Sequence, residues 1–418
     1  MALAATAAIA ALTPAVADAS VSITKFSLTP STTKAGSDPD LTVDASFGNS
    51  LGDDPKSFTV SLAPGLLANP TVAGACSSSQ LSNNSCPADS KLGTGHVYAT
   101  VLGQSQDWST SLYLTQPKSG ELGRVGATIY TQFGDLSWQG DISIRKSPTV
   151  GADITFSDLP TQVLSFPVSV TGVDLTLNGT IGGKPFTRNP TSCATATTTL
   201  QTTAVLWPNG TSTASSSFTP TGCSALTFAP QLSASASIGG AAGNVGFDTT
   251  ITQAATDAAI KSAKVTMPGG LYVNPVALAH ACTSSDPLNC SSSSSVGTAS
   301  LTTPLWSKPL TGNLVLMASG HVAAVIGSPF DIALTGTASV NSSGNGSVTF
   351  DSMPDVPLSK VQIDLAGGTG SLLIGGYDWC FGPQTVTADF TGQNGATHDD
   401  SLQLPFGGCP AAPSLPSL

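Results

Sequence analysis

The side chains of this chain that could do chemistry are its histidines, acidic residues, cysteines and tryptophans. His96 follows residues 93–95 (GTG) and could act as a general base, because imidazole titrates near neutral pH. The corresponding position in the second half of the chain is Ser300, and no partner stands at a recognisable spacing. The members of a Ser-His-Asp triad need to meet only in space, so the sequence leaves a triad open. A half-exposed strand histidine is the competing interpretation, and we predict no catalytic residue.

Metal binding is the second chemistry that these residue types could support. Residues 398–400 (HDD) place two adjacent carboxylates beside an imidazole, a set that could bind Ca²⁺. Residues 53–54 and 38–40 also bring aspartates together, but Asp is a common turn former. The cysteines form no C-x-x-C, and no histidine has a partner at ligand spacing. We therefore predict no metal site and no cofactor.

Tryptophan side chains could stack on sugar rings, because a flat ring offers apolar area at little entropic cost. Packing in the core or at a strand edge is the more common use of such residues. The sequence contains no P-loop, H-E-x-x-H or G-x-G-x-x-G motif. The candidate sugar-binding residues are Trp108, Trp138, Trp207, Trp306 and Trp379.

Cysteine spacing repeats along the chain. The gaps within successive pairs are 10 and 30 residues, and then 8 and 29 residues. Eight cysteines allow 105 connectivities, but a repeated short and long gap favours one of them. Disulfides persist in oxidising compartments, so this pattern indicates export. The predicted pairs are Cys76–Cys86, Cys193–Cys223, Cys282–Cys290 and Cys380–Cys409.

The N-terminus also indicates export. Residues 2–12 form a short apolar run that precedes small-residue cleavage sites, so residues 1–19 are expected to be a signal peptide, although no Lys or Arg precedes the run. An Ala-rich helix of a cytosolic protein is the alternative. No other window approaches 18 apolar residues, and residues 410–418 form a Pro-rich tail. We expect a secreted protein without a transmembrane segment.

Composition limits the classes of partner and fold. Of 418 residues, 9% are charged, and the net charge of −11 comes with only 14 Lys and Arg. Too few cations are present to neutralise a phosphate backbone, which argues against a nucleic-acid partner. Glu occurs once, at Glu121, and strong helix formers other than Ala and Leu are rare, so we expect a chain that is mostly β.

An internal duplication organises the chain. Residues 57–66 with Asn69-Pro70 recur as residues 262–271 with Asn274-Pro275, and other blocks recur in the same order. The matching blocks have the same length in both halves of the chain, whereas the segments between the blocks differ in length. This is expected when the blocks are strands and the segments between them are loops. The predicted repeats are residues 20–223 and 224–409.

Short alternating segments predict half-buried strands bounded by Gly, Pro, Asn and Asp, as in residues 41–47 and 361–365. Because one sandwich takes about 100 residues, we predict two immunoglobulin-like antiparallel β-sandwich units in each repeat, stapled by disulfides. The expected units are 20–117 and 118–223 in repeat 1, and 224–318 and 319–409 in repeat 2. One continuous closed sheet in each repeat is the alternative.

Several segments resemble a known family. Residues 185–193 (PFTRNPTSC), residues 226–230 (LTFAP), residues 265–271 (VTMPGGL) and residues 303–306 (TPLW) are similar to segments of large secreted, repeat-containing, β-rich proteins of high-GC actinobacteria. The likeness covers about two thirds of the chain. The family has no established activity, so the resemblance implies export and repetition and identifies no catalytic residue.

Duplication, low charge and the absence of nucleotide-binding and H-E-x-x-H motifs together predict a non-enzymatic, extracellular structural, spacer or adhesive protein at the cell surface. Its expected partners are a cell-wall or extracellular glycan, or another surface protein. A carbohydrate-binding module protein is the first alternative, and a secreted hydrolase is the second.

Overall fold

The computed structural model describes residues 20–49, 53–146, 149–206, 210–239, 243–368, 370–375 and 384–407. Within these ranges the fold is all-β, with two large sheets whose strands pair almost entirely antiparallel, and with two short α-helices. The predicted all-β class, with sandwich-like antiparallel sheets stapled by disulfides, is confirmed. The predicted signal peptide (1–19) and tail (410–418) lie outside the described residues.

Repeat 1 contributes the first set of strands, one α-helix and three 3₁₀ helices. The strands are β1 (Val21–Pro30), β2 (Leu41–Asn49), β3 (Pro55–Ser61), β4 (Leu67–Ala68), β5 (Lys91–Val101), β6 (Gln104–Thr115), β7 (Gly123–Ile129), β8 (Leu136–Arg145), β9 (Gly151–Phe156), β10 (Gln162–Val163), β11 (Phe166–Leu177), β12 (Thr180–Ile181), β13 (Lys184–Pro185), β14 (Thr187–Arg188), β15 (Ala196–Ala204) and β16 (Thr211–Phe218). The helices are α1 (Ser78–Ser82) and the 3₁₀ helices Pro70–Val72, Ala88–Ser90 and Cys223–Ala225.

Repeat 2 contributes the second set. The strands are β17 (Gln231–Gly239), β18 (Asn244–Thr252), β19 (Ile260–Thr266), β20 (Leu271–Val273), β21 (Ser295–Thr302), β22 (Leu310–Leu316), β23 (His321–Ile326), β24 (Ile332–Val340), β25 (Gly346–Phe350), β26 (Lys360–Leu365), β27 (Leu373–Gly375), β28 (Thr385–Gly392), β29 (Thr397–Gln403) and β30 (Phe406–Gly407). The helices are α2 (Pro275–Ala279) and the 3₁₀ helices Pro287–Asn289 and Ser292–Ser294.

The two large sheets share one topology. The first has the order β1-β2-β11-β5-β6-β7-β8-β9-β3-β15-β16. The second contains the order β17-β18-β26-β21-β22-β23-β24-β25-β19-β28-β29, which matches the first strand for strand along the chain. The repeated sequence blocks therefore occupy corresponding strands; residues 57–61 lie in β3 and residues 262–266 in β19.

The predicted division of each repeat into two sandwich units is wrong. In repeat 1, β11 comes from the predicted unit 118–223, yet it lies between β2 and β5 of the predicted unit 20–117. In repeat 2, β26 of 319–409 lies between β18 and β21 of 224–318. Half a repeat would leave these strands with unpaired backbone edges, so the whole repeat folds as one unit.

Side-chain hydrogen bonds join the two ends of each large sheet. In repeat 1, the hydroxyls of Ser212 and Ser216 on β16 accept hydrogen bonds from the amides of Ile23 and Leu28 on β1, at 3.0 and 2.9 Å. In repeat 2, the amide of Leu232 on β17 donates to the Asp400 carboxylate on β29 at 2.7 Å. Each sheet thus folds back on itself around an apolar interior.

A repeated glycine permits close strand packing at the start of β5 and β21. A Cβ added to Gly93 would lie 2.0 Å from the backbone oxygen of Thr176, and one added to Gly297 would lie 2.0 Å from that of Asp364. Both glycines lie beside a register shift in the ladder to the next strand. The Gly-Thr pair at residues 93–94, which recurs at residues 297–298, therefore marks a place where only glycine fits between adjacent strands.

Candidate functional site

His96 lies on the outer face of repeat 1. Its Nδ1 is 2.6 Å from Oδ1 of Asp107, and the two side chains are 48% and 59% exposed. Ser109 on β6 and Asp174 on β11 stand directly opposite His96 in the sheet. The structure therefore places a histidine, a serine and aspartates together on a face where the side chains of His96 and Asp107 are open to water.

Two of the acidic residues considered as metal ligands, Asp53 and Asp40, accept hydrogen bonds that hold the fold. Asp53 accepts from the Ser20 hydroxyl at 2.7 Å and from the Leu206 amide at 2.8 Å. Asp40 accepts from the Gly179 amide at 2.6 Å. Among the described residues, no group of three or more His, Cys, Asp or Glu side chains could hold a metal ion.

The described tryptophans pack against neighbouring side chains. Trp108 is buried, and the Trp138 indole N–H donates to the Ser157 carbonyl at 2.9 Å. Trp306 packs edge to face on Phe330, with ring centroids 5.1 Å apart. Trp207 and Trp379 lie outside the described residues.

Three disulfides join Cys76 to Cys86, Cys193 to Cys223, and Cys282 to Cys290. These are three of the four pairs that the spacing predicts, and every described cysteine is in a disulfide. The predicted pair Cys380–Cys409 lies outside the described residues. The two short disulfides lie at corresponding places in the two repeats. Cys76 forms an isolated parallel β-bridge with Thr115 at the end of β6, and Cys282 forms one with Met317, directly after β22.

A buried polar network joins the two repeats. The Asp355 carboxylate of repeat 2 accepts hydrogen bonds from the Thr191 amide at 2.7 Å, the Thr191 hydroxyl at 2.5 Å and the Ser192 amide at 3.0 Å. The Thr191 hydroxyl also accepts a hydrogen bond from the Ala259 amide at 3.1 Å. Asp355 is 9% exposed and Thr191 is 1% exposed, so water cannot substitute for these partners.

Glycine at position 65 lets the Asp355 carboxylate approach repeat 1. Gly65 has a φ of +81°, and a Cβ there would lie 2.8 Å from an Asp355 oxygen. Both the backbone conformation and the space favour glycine.

Burial shifts the pKa values of two charged groups in this polar network, Asp355 and Arg188. Burial raises the pKa of the Asp355 carboxyl, while its hydrogen bonds and the charge of Arg188 act in the opposite direction. Burial also lowers the pKa of the Arg188 guanidinium, which nearby carboxylates partly offset. Arg188 of repeat 1 donates to two carbonyls of repeat 2, those of Ala255 at 2.6 Å and Asp257 at 3.1 Å.

Other contacts extend the joint to the long disulfide. The Asn394 side-chain amide donates to the carbonyls of Cys223 and Leu226, each at 3.2 Å. The side-chain amide of Asn189, beside Arg188, donates to the carbonyls of Thr32 and Lys34 and so holds the segment of Arg188 and Thr191 to the rest of repeat 1. We call the contacts of Asp355, Arg188 and Asn394 the inter-repeat joint.

Apolar cavities lie inside both repeats. That of repeat 1 has a volume of about 260 Å³, and that of repeat 2 about 110 Å³. Trp306 and Phe330, which belong to loops of repeat 2, contribute to the wall of the cavity in repeat 1. None of the described side chains in either wall is charged, so the cavities offer apolar contact and no acid–base chemistry.

Sequence reasoning missed the inter-repeat joint. Asp355 and Thr191 are 164 residues apart, and neither stands in a recognised motif. The only sequence signal was the distinctive segment 185–193, which contains Arg188, Asn189 and Thr191.

No protein-family model and no curated protein sequence matches the chain. A solved structure of the Enterococcus faecalis MSCRAMM ACE, described as binding its ligands by the collagen Hug model, is similar over 91% of this chain and 93% of that one, at 8% identity and a TM-score of 0.24. A TM-score this low does not support a shared fold, and nothing about function is transferred from it. Within the described ranges, no helix is both long and apolar enough to span a membrane.

Proposed function

We propose that this chain is a non-enzymatic, extracellular protein that acts as a stiff structural or adhesive element at the cell surface. The observation that carries the proposal is the inter-repeat joint, in which a carboxylate of repeat 2 is buried against backbone amides of repeat 1. Breaking such a contact would leave buried donors without acceptors, so two repeats joined in this way keep one relative orientation. A stiff pair of modules provides reach from a surface.

The extracellular location is supported by the three disulfides and by the apolar N-terminal run in the sequence. The resemblance to secreted actinobacterial proteins is part of the same proposal. The proposed partners are a cell-wall or extracellular glycan, or another surface protein.

Two measurements test the proposal. Fractionation of native cells into medium, wall and cytoplasm should place the protein outside the cytoplasm, with no thiol reacting until a reductant is added. Small-angle scattering of the purified chain should fit a single arrangement of the two repeats. Recovery in the cytoplasm with free thiols would contradict the location, and a scattering curve that requires many relative orientations would contradict the stiffness.

A further inference from the structure

Each repeat carries a corresponding surface at the end where its short strand, β4 or β20, lies. The Asn69 amide after β4 donates to the Phe186 carbonyl at 2.6 Å, and the Asn274 amide after β20 donates to the Leu372 carbonyl at 2.7 Å. Both asparagines cap the short helix that follows. The residues around Asn69 in repeat 1 therefore match those around Asn274 in repeat 2.

Repeat 2 covers this surface in repeat 1. Leu67 and Pro70 line the same cavity as Trp306 and Phe330, which lie in the β21–β22 and β23–β24 loops of repeat 2. The Thr71 hydroxyl oxygen lies 3.4 Å from the Pro304 carbonyl oxygen in the first of these loops. An aromatic pair from the loops of one repeat thus covers the end of the other.

The matching surface of repeat 2 is exposed. Tyr272, Val273, Val276 and Leu278 are 62, 44, 57 and 52% exposed, and we call these four residues the bare face. In repeat 1 the residue that matches Val276 is Thr71, so the exposed version is the more apolar one. Single exposed apolar side chains are ordinary, but a cluster within seven residues of chain indicates an interaction surface.

The opposite end of repeat 1 carries counterparts of the covering residues. Phe133, in the β7–β8 loop, corresponds to Phe330, in the β23–β24 loop. Each phenylalanine follows at the same distance the isoleucine that ends the preceding strand, Ile129 in β7 and Ile326 in β23. Leu102, in the β5–β6 turn, takes the place of the loop with Trp306 and is 65% exposed.

Two more apolar side chains lie at this end of repeat 1. Phe166 packs on Phe133, with ring centroids 6.0 Å apart, and is 40% exposed. Leu164 is 69% exposed. We call Leu102, Phe133, Leu164 and Phe166 the head.

We infer that the bare face binds the head of a second copy of this chain. The contact between copies repeats the one within a chain, where the loops of repeat 2 with Trp306 and Phe330 cover the β4 end of repeat 1. The two surfaces differ, so the contact is heterologous, and each added copy exposes a new bare face. The copies therefore assemble into linear chains. Asp355 corresponds to Thr161 in repeat 1, so the contact between copies lacks the buried carboxylate of the inter-repeat joint and is weaker. Each copy carries a net charge of −11, so added salt strengthens the association by screening repulsion.

The experiment uses sedimentation velocity on the purified full chain over a series of protein and salt concentrations. One variant blocks the bare face (Val273→Asp with Val276→Asp), and a second blocks the head (Leu102→Asp with Leu164→Asp). A matched control adds the same two charges to the outer wall of repeat 1 (Thr213→Asp with Ser215→Asp), where both residues are exposed.

The wild-type chain and the control are expected to form species larger than a dimer as concentration rises. Each blocked variant alone should remain a monomer, and a one-to-one mixture of the two should form a dimer and nothing larger. All of the replaced side chains are exposed, and unchanged circular dichroism spectra and melting temperatures would show that the variants are folded. A wild-type chain that stays monomeric at every concentration would overturn the inference, as would blocked variants that associate like the wild type or a mixture without dimers.

Discussion

Replacing Asp355 with alanine is expected to weaken the contact between the two repeats more than any surface substitution. The change removes the acceptor of three hydrogen bonds, from the Thr191 amide, the Thr191 hydroxyl and the Ser192 amide. Leaving a buried donor without a partner costs about 1–3 kcal/mol, and the Thr191 groups are the more deeply buried.

Part of this cost is offset, because a buried carboxylate also carries a desolvation penalty that its removal relieves. The net expectation is a loss of about 2–4 kcal/mol in the free energy of unfolding. Urea titration followed by circular dichroism measures this change. Hydrogen exchange at the Thr191 and Ser192 amides should become faster by a corresponding factor.

The matched control is Asp351→Ala, four residues earlier in the chain. Asp351 accepts one exposed hydrogen bond, from the Ser262 hydroxyl at 3.0 Å, and its loss should cost under about 0.5 kcal/mol. If Asp355→Ala destabilised the protein no more than Asp351→Ala did, the inter-repeat joint would not hold the repeats together, and the proposed stiffness would fail.

Three further predictions concern pH, sulfur and glycine. Because burial raises the pKa of Asp355 above its ordinary value of 3.8, protonating this carboxyl favours the folded state. The stability of the wild type relative to Asp355→Asn should therefore be greatest below pH 3.8 and should fall as pH rises through the folded-state pKa. Unfolding free energies of the two proteins measured over this pH range test the slope, and a difference that rises with pH would contradict it. Replacing Cys193 and Cys223 with alanine removes the disulfide that closes a loop with a sequence separation of 30. On the chain-entropy model, the free energy of unfolding should fall by about 3–4 kcal/mol. Urea titration measures this change, and an unchanged free energy of unfolding would contradict the prediction. Gly297→Ala puts a Cβ 2.0 Å from a backbone oxygen and should lower the free energy of unfolding by about 3 kcal/mol or more. The control is Gly327→Ala, whose Cβ would have no atom within 4 Å and which should leave the free energy of unfolding almost unchanged. Equal melting temperatures for the two variants would count against the close strand packing.

Much of the architecture could be predicted because its signals are local in the chain. Alternating apolar residues predicted strands, since side chains on a strand point to opposite faces in turn; the predicted segments 41–47 and 361–365 lie in β2 and β26. The short disulfide pairs also followed from spacing, because cysteines 8 or 10 residues apart are held near each other by the chain itself. The recurring Gly-Thr pair was visible in the sequence, although its reason, the close approach of β5 to β11, was not.

The order of strands within a repeat was decided only by the tertiary structure. Strand periodicity shows that β11 has a buried face, but it does not show that β11 lies between β2 and β5, which begin 125 and 75 residues earlier. Backbone hydrogen bonding is the same for any pair of strands, so the choice of neighbour depends on which faces fit around a common core.

The inter-repeat joint, the bare face and the head were also decided only by the tertiary structure. The amino-acid sequence determined a duplicated, disulfide-linked β protein with few charges, because those properties follow from composition and spacing. Only the tertiary structure brought Asp355 to Thr191, covered Leu67 with Trp306 and left Tyr272 exposed, because each of these depends on how two folded repeats lie against one another.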